Sequence, residues 1–144
     1  MNFQAGLYIV STPIGNLGDI TLRALQALQN SDIILCEDTR VSNKLLAKHS
    51  IKGSLKVYND NSDAVLRDFV KTLILEGKVV SLVSDAGTPL ISDPGYKLVR
   101  ELKSDNLHVD VIPGACAVIA ALTLSGLPTD KFLFSGFLPK TKEG

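Results

Sequence analysis

Several features that commonly announce a function are scarce or missing in this sequence. Cysteine occurs only at Cys36 and Cys116 in 144 residues. Both lie in or beside apolar stretches, which excludes a disulfide framework and predicts two buried free thiols in a reducing compartment. The two histidines, His49 and His108, stand far apart with no Cys or carboxylate companions at ligand spacing, so no metal site is expected. Charge of one sign is not in excess: 15 Lys+Arg face 15 Asp+Glu for a net charge of zero. A strong nucleic-acid binder usually carries a basic surplus, so contact with nucleic acid would have to come from something other than overall charge. No apolar run approaches the ~20 residues needed to span a bilayer, and no charged-then-apolar leader opens the chain. A cytoplasmic protein without membrane attachment is therefore expected. The G-x-G-x-x-G fingerprint and the G-x-x-x-x-G-K-[ST] phosphate loop are both missing. Gly15-Asn16-Leu17-Gly18 is only a G-x-x-G and carries little weight.

What is present is an ordinary globular composition, 45% hydrophobic and 21% charged, in a chain of single-domain length that can bury a core without staples. Short apolar runs alternate with helix-period segments. Strands are predicted at 7–10, 33–36, 55–58, 79–83 and 109–112, the fourth being the most apolar and hence central. Thr21 caps a helix with Leu22, Leu25 and Leu28 on one face. Further helices are expected at 42–48, over Val65–Ile74 spacing that stops at Gly77, and at 96–102. Strands separated by helices require right-handed crossovers, which gives an α/β fold: a doubly wound, mainly parallel five-stranded sheet. After Pro113-Gly114 the pattern shifts to an apolar helix at 115–124 and an aromatic strand at 132–137. These read as the opening of a second domain, so the expected division is 1–113 and 114–144, with the second part incomplete and its Leu127, Phe134 and Leu138 lacking cover.

The chemistry-bearing residues gather after the strands. Ser11-Thr12-Pro13-Ile14-Gly15-Asn16 follows the first, Glu37-Asp38-Thr39-Arg40 the second, and Asn59-Asp60-Asn61 the third. Ser84-Asp85-Ala86-Gly87-Thr88-Pro89 and Ser92-Asp93-Pro94-Gly95 follow the fourth, and Pro113-Gly114 the fifth. In an open parallel sheet these loops share the carboxyl edge, where ligands bind. Turn preference alone explains Gly, Pro and Asp in any one loop, but less well their convergence in all of them. The fourth loop is longer than the roughly 2–6 residues usual for such a connection. Its glycines permit close backbone approach and its prolines pre-set its shape. Asp85 reads equally as an acceptor for ribose hydroxyls and as a turn cap, whereas Asp93 reads first as a cap for the helix at Tyr96.

These blocks, in this order, resemble the ribosomal RNA small subunit methyltransferase I family of the tetrapyrrole methylase superfamily. The likeness rests on Leu7-Tyr8-Ile9-Val10-Ser11-Thr12-Pro13-Ile14-Gly15-Asn16-Leu17, on Glu37-Asp38-Thr39-Arg40, and on the long run from Val83 to Tyr96. Ile112-Pro113-Gly114 and Leu124-Ser125-Gly126-Leu127-Pro128-Thr129-Asp130 are similar to its domain junction. The resemblance implies two α/β domains with S-adenosylmethionine between them and 2′-O-methylation of a cytidine in small-subunit ribosomal RNA, free or in the 30S subunit. By position it implies that Pro13, Gly87, Thr88 and Ile91 line the cofactor from one side, and Cys116 and Ala117 from the other. It also implies a homodimer as an option, which the apolar helix at 115–124 would suit.

The chain departs from the family at Asn59-Asp60-Asn61-Ser62-Asp63, where a His/Glu-rich stretch is usual, and at Ala115-Cys116, where Pro-Ser is common. The Lys/Arg-rich entry to the second domain is reduced to Lys140 and Lys142. A ribose hydroxyl needs help from a base. Asp38 is the candidate, with Arg40 binding a phosphate or orienting Asp38; the alternative is a local Asp38–Arg40 pair that fixes the loop. Two other functions are open at this point: a tetrapyrrole or other small-molecule methylase, and a non-catalytic truncated fragment.

Overall fold

The computed structural model describes residues 2–61, 63–92 and 94–140. A parallel sheet of five strands forms its centre, in the order β3-β2-β4-β1-β5. The strands are β1 (Gly6–Val10), β2 (Ile33–Cys36), β3 (Leu55–Val57), β4 (Val79–Leu82) and β5 (Val109–Ile112). Helices α1 (Leu22–Asn30), α2 (Thr39–Lys48), α3 (Ala64–Leu75), α4 (Tyr96–Ser104) and α5 (Ala117–Leu124) follow the strands in turn, and Leu17–Asp19 makes one 3-10 turn. β4 is the middle strand and is buried throughout, as its unbroken apolar run requires. Both of its neighbours pair with it in parallel register, Leu82 opposite Ile9 on one side and Leu35 on the other.

Two cores flank the sheet. One joins α1 and α2 to the sheet through Ala24, Ala27, Leu28, Leu45 and Leu46 packed on Tyr8, Val10, Ile34 and Cys36. The other joins α3 and α4 through Leu66, Val70, Ile74, Leu98 and Leu102 packed on Leu7, Leu35, Val80 and Leu82. Local signals set the helix ends. Thr21 Oγ1 accepts the Ala24 N–H at 3.0 Å. At the end of α3, Gly77 (φ 90) and Lys78 donate to Ile74 and Leu73 carbonyls, a Schellman closure that a residue tolerant of left-handed backbone makes cheap.

Three expectations need correction. Helix α2 begins at Thr39, not 42, because Asp38 caps it by accepting the Arg40 N–H at 2.9 Å. No strand forms at 132–137: no neighbouring strand offers a ladder to this segment, and an unpaired extended chain is not a strand. Of the two thiols, Cys36 is buried, but Cys116 is only partly so. The apolar helix α5 buries none of its residues.

Candidate active site at the carboxyl edge

The central position of β4 puts its following loop, 83–95, within reach of the loops after all the other strands, and each makes a hydrogen bond to it. From the first loop, Thr12 and Gly87 exchange both backbone bonds at 3.0 Å, a short antiparallel bridge. Gly87 adopts φ +79, and a Cβ there would meet Ile14 Cγ2 at 3.4 Å. Thr12 Oγ1 also donates to the Ser84 carbonyl, and Ser84 Oγ turns back to the Ala86 and Gly87 carbonyls. Thr88 Oγ1 donates to the Ala115 carbonyl at 3.2 Å in the loop after β5, and its remaining capacity meets Ser11 Oγ at 2.8 Å. A threonine hydroxyl has one proton, so Ser11 is the donor of that pair. From the second loop, the Asp38 N–H donates to Asp85 Oδ1 at 3.2 Å.

The third loop contributes Asp60. Its Oδ2 accepts the backbone N–H groups of Gly95 (2.8 Å) and Lys97 (3.3 Å) at the start of α4, while Oδ1 accepts the Tyr58 hydroxyl. Asp60 therefore caps α4 from 35 residues upstream. Asp93, expected in that role, lies outside the described residues. Burial pushes the Asp60 carboxyl up, but the bonds from Tyr58, Gly95, Lys97 and Leu98 outweigh it and hold it below its ordinary value. Burial and the adjacent carboxylate push the Tyr58 phenol strongly upward. Arg67 Nη1 donates to the Asp60 carbonyl at 2.7 Å, and its Nε to Glu101 at 3.0 Å, tying α3 and α4 to the same point.

A cavity of about 340 Å³ opens at this edge, lined by Ile14, Gly87, Thr88, Ile91, Cys116 and Ala117 among others. That volume lies in the roughly 300–1,000 Å³ range of small-ligand sites. Of the residues expected to line a ligand, Gly87, Thr88, Ile91, Cys116 and Ala117 come together here. Pro13 and Asp85 do not; they line a hollow of about 50 Å³ with Leu17, Val41 and Ser42, too small for a nucleoside. Sequence reasoning missed Ile14, Phe134 and Phe137 as lining residues. The sequence carried no signal for the two phenylalanines, because the aromatic run reads locally as a strand and only the fold shows that it pairs with none. On the far side of Ser92, which both share, lies a polar hollow of about 370 Å³ lined by Asn59, Asp60, Asn61 and Pro94. Leu90 (φ 77) and Ser92 (φ 57) flank Ile91 in left-handed backbone, a strained arrangement for residues with a Cβ.

Asp38 and Arg40 sit beside this edge as a bidentate pair, Nη2 to Oδ2 at 2.8 Å and Nε to Oδ1 at 3.1 Å. Hydrogen bonds from the Arg40 side chain and backbone hold the Asp38 carboxyl down at about 2. The Arg40 side chain is 86% exposed and free to meet a second anion. Among the described residues, no group of three or more His, Cys, Asp and Glu is placed to hold a metal ion. Nor is any helix among them long and apolar enough to cross a membrane.

The profile of the family described as Tetrapyrrole (Corrin/Porphyrin) Methylases matches residues 6–143. The chain belongs to the tetrapyrrole methylases. Within that family it is 66% identical over 143 residues to the Ribosomal RNA small subunit methyltransferase I of Rickettsia prowazekii, and 48% to that of Escherichia coli O157:H7. Each comparison covers 99% of this chain but only 51% and 50% of the relative. The chain thus spans about half the length of the curated relatives it matches. Among solved tetrapyrrole methylases, the uroporphyrin-III-C-methyltransferase of Thermus thermophilus superposes with a TM-score of 0.64 at 26% identity, covering 86% of this chain and 53% of that one. A cobalt precorrin-4 methyltransferase of cobalamin biosynthesis gives the same TM-score and identity over 81% of this chain. The expected doubly wound fold is therefore the tetrapyrrole methylase fold.

Proposed function

We propose that this tetrapyrrole methylase takes part in S-adenosylmethionine-dependent 2′-O-methylation of a cytidine ribose in small-subunit ribosomal RNA. The observation that carries the reading is the cavity bounded by Gly87, Thr88, Ile91, Cys116 and Ala117. Its residues fit the cofactor. Gly87 leaves clear the volume that a Cβ would push toward Ile14, and Ile14, Ile91 and Val118 give an apolar wall for an adenine. Helix α5 has no side-chain cap at Cys116. Its first N–H groups, at the rim where Ala117 and Val118 line the cavity, suit the carboxylate of an amino-acid end. When bound, the cofactor supplies an activated methyl group on a sulfonium.

The protein's own contribution is placement and exclusion of water, from which much of the rate of such a transfer can come. In this reading Pro13 and Asp85 support the cavity from behind, Asp85 by holding the Asp38 backbone. The polar hollow beyond Ser92 receives the acceptor nucleoside, its Asn59 and Asn61 amides matching the donors and acceptors of a base edge. Arg40 takes a phosphate, and Asp38 fixes its direction. A carboxyl held at about 2 is a weak base at neutral pH, so positioning Arg40 is the larger part of Asp38's role. The division at residue 113 separates the loops that bear the acceptor from the segment that closes over the cofactor. An rRNA substrate places the reaction in the cytoplasm, with the 30S subunit as partner.

A tetrapyrrole acceptor is the second reading, favoured by the solved structures at 26% identity. The higher identities, 66% and 48%, belong to relatives named for ribosomal RNA. Calorimetric titration of the 144-residue chain with S-adenosylmethionine tests the reading. Micromolar binding, about −8 kcal/mol, supports it, and transfer of labelled methyl to small-subunit RNA rather than to a tetrapyrrole chooses between acceptors. A folded chain that takes up no cofactor at millimolar concentration overturns it.

A further inference from the structure

The zero net charge hides an uneven distribution. Helices α1 and α2 cover one face of the sheet and carry Arg23, Arg40, Lys44 and Lys48 with no acidic residue. The helices on the other face also carry cations: there Arg67 and Lys71 pair with Glu101, and Lys71 also with Asp68 and Asp105, while Lys97, Arg100 and Lys103 lie along α4 on either side of Glu101. On α2, Arg40, Lys44 and Lys48 recur every four residues and are all exposed, opposite the buried Ser42, Leu45 and Leu46. Four-residue spacing keeps side chains on one helical face, and the three cations span about 12 Å along the axis. Asn43 and Ala47, also exposed, adjoin them without bulk or negative charge. Neither Lys44 nor Lys48 has a carboxylate within ion-pair distance among the described residues. The nearby acids are Asp38, already paired with Arg40 and within electrostatic reach of Lys44, and Asp85, within electrostatic reach of Arg40. Helix α2 differs from α3 and α4 in having no acid among its cations, where Asp68 and Glu101 interrupt theirs. The stripe starts at the carboxyl edge, where Arg40 stands beside the cavity loops, and leads away from it along the surface.

We propose that the exposed face of α2 is a docking surface for an RNA backbone, with Lys44 and Lys48 meeting phosphates of the strand whose nucleotide enters the carboxyl edge. The proposal rests on the RNA acceptor reading above and adds the path of the substrate to it. Phosphate contacts of this kind set position and register, not sequence, and they make binding salt-dependent through released counterions. An acidic protein surface would also be attracted to lysines, but it lacks the regular run of anions that cations at a fixed spacing match.

The test is fluorescence anisotropy of a labelled short single-stranded RNA with the 144-residue chain, without cofactor, across a salt series. Lys44→Gln/Lys48→Gln is compared with Lys78→Gln/Lys103→Gln, which removes two exposed charges away from α2. Gln and Lys have similar helix propensity, and thermal melts verify that both variants fold. The α2 variant is expected to bind about tenfold more weakly at low salt, with the slope of log K against log salt smaller by about 1.4, two contacts at ~0.7 each. The control should bind as the parent does. Unchanged affinity and slope in the α2 variant, an equal loss in the control, or no salt-sensitive RNA binding by the parent overturns the proposal. The binding assay needs no cofactor, so RNA binding through α2 by a folded chain that takes up no S-adenosylmethionine at millimolar concentration would sink the functional reading and leave this surface standing. Methyl transfer to RNA with an unaltered slope would do the reverse.

Discussion

Asp60 is in contact with more of the carboxyl edge than any residue singled out for chemistry. One of its oxygens accepts the Tyr58 hydroxyl and the other holds two N–H groups of α4, while its carbonyl receives Arg67. Removing the carboxylate leaves a buried phenol and a helix start without acceptors, so Asp60→Ala should destabilise the protein by roughly 1–3 kcal/mol in urea unfolding at neutral pH. The pH dependence has a definite sign. The folded carboxyl lies below its ordinary value, so its stabilisation is complete above an unfolded pKa of about 3.9 and is lost as pH falls through the lower folded value. The stability gap between the parent and Asp60→Asn should therefore narrow below about pH 4. A gap independent of pH would mean that the charge contributes nothing. The sequence marked 59–61 as a loop of interest, but no local pattern relates Asp60 to a helix that begins at Tyr96.

Helix ends were legible where the capping group is close in sequence. Thr21 was read as a cap and accepts the Ala24 N–H; replacing it with Ala should cost about 1 kcal/mol, measured by chemical denaturation, with a thermal shift of a few degrees. Gly77 was likewise read as a helix stop, because a glycine after a periodic run has few other meanings. The start of α2 lies three residues before the expected 42, because Glu37-Asp38-Thr39-Arg40 reads locally as a loop. In the fold its Asp38 is the cap and Thr39 and Arg40 are already helical. Aromatic content at 132–137 suggested a strand, but β propensity describes a fit to a sheet surface, and no strand pairs with this segment.

At the scale of the molecule, α5 and the segment after it leave an apolar surface open. Leu124 is 86% exposed, and Leu127, Leu133, Phe137 and Leu138 are exposed with it. Large apolar side chains left in water favour association. Self-association is the expected outcome in solution. Sedimentation should show concentration-dependent mass, and Leu124→Lys/Leu127→Lys should weaken association by tenfold or more, at about 1.5–3 kcal/mol per leucine withdrawn from an apolar contact. A parent that is monomeric at all concentrations would exclude it.

Strand positions, the apolar centre at β4, the parallel sheet and the loops at its carboxyl edge were all determined by the sequence, because each rests on short-range periodicity and turn chemistry that a few residues specify. The family was legible for the same reason: its marks are contiguous blocks. Tertiary structure alone decided which loop residues share a wall. The strand order brings residues 12, 38, 60 and 115 to one loop from four separate places in the chain. It sent Pro13 and Asp85 to a small hollow and Phe134 and Phe137 to the main cavity. It also set the exposed Arg40, Lys44 and Lys48 of α2 beside the carboxyl edge, a placement that an overall count of zero could not reveal.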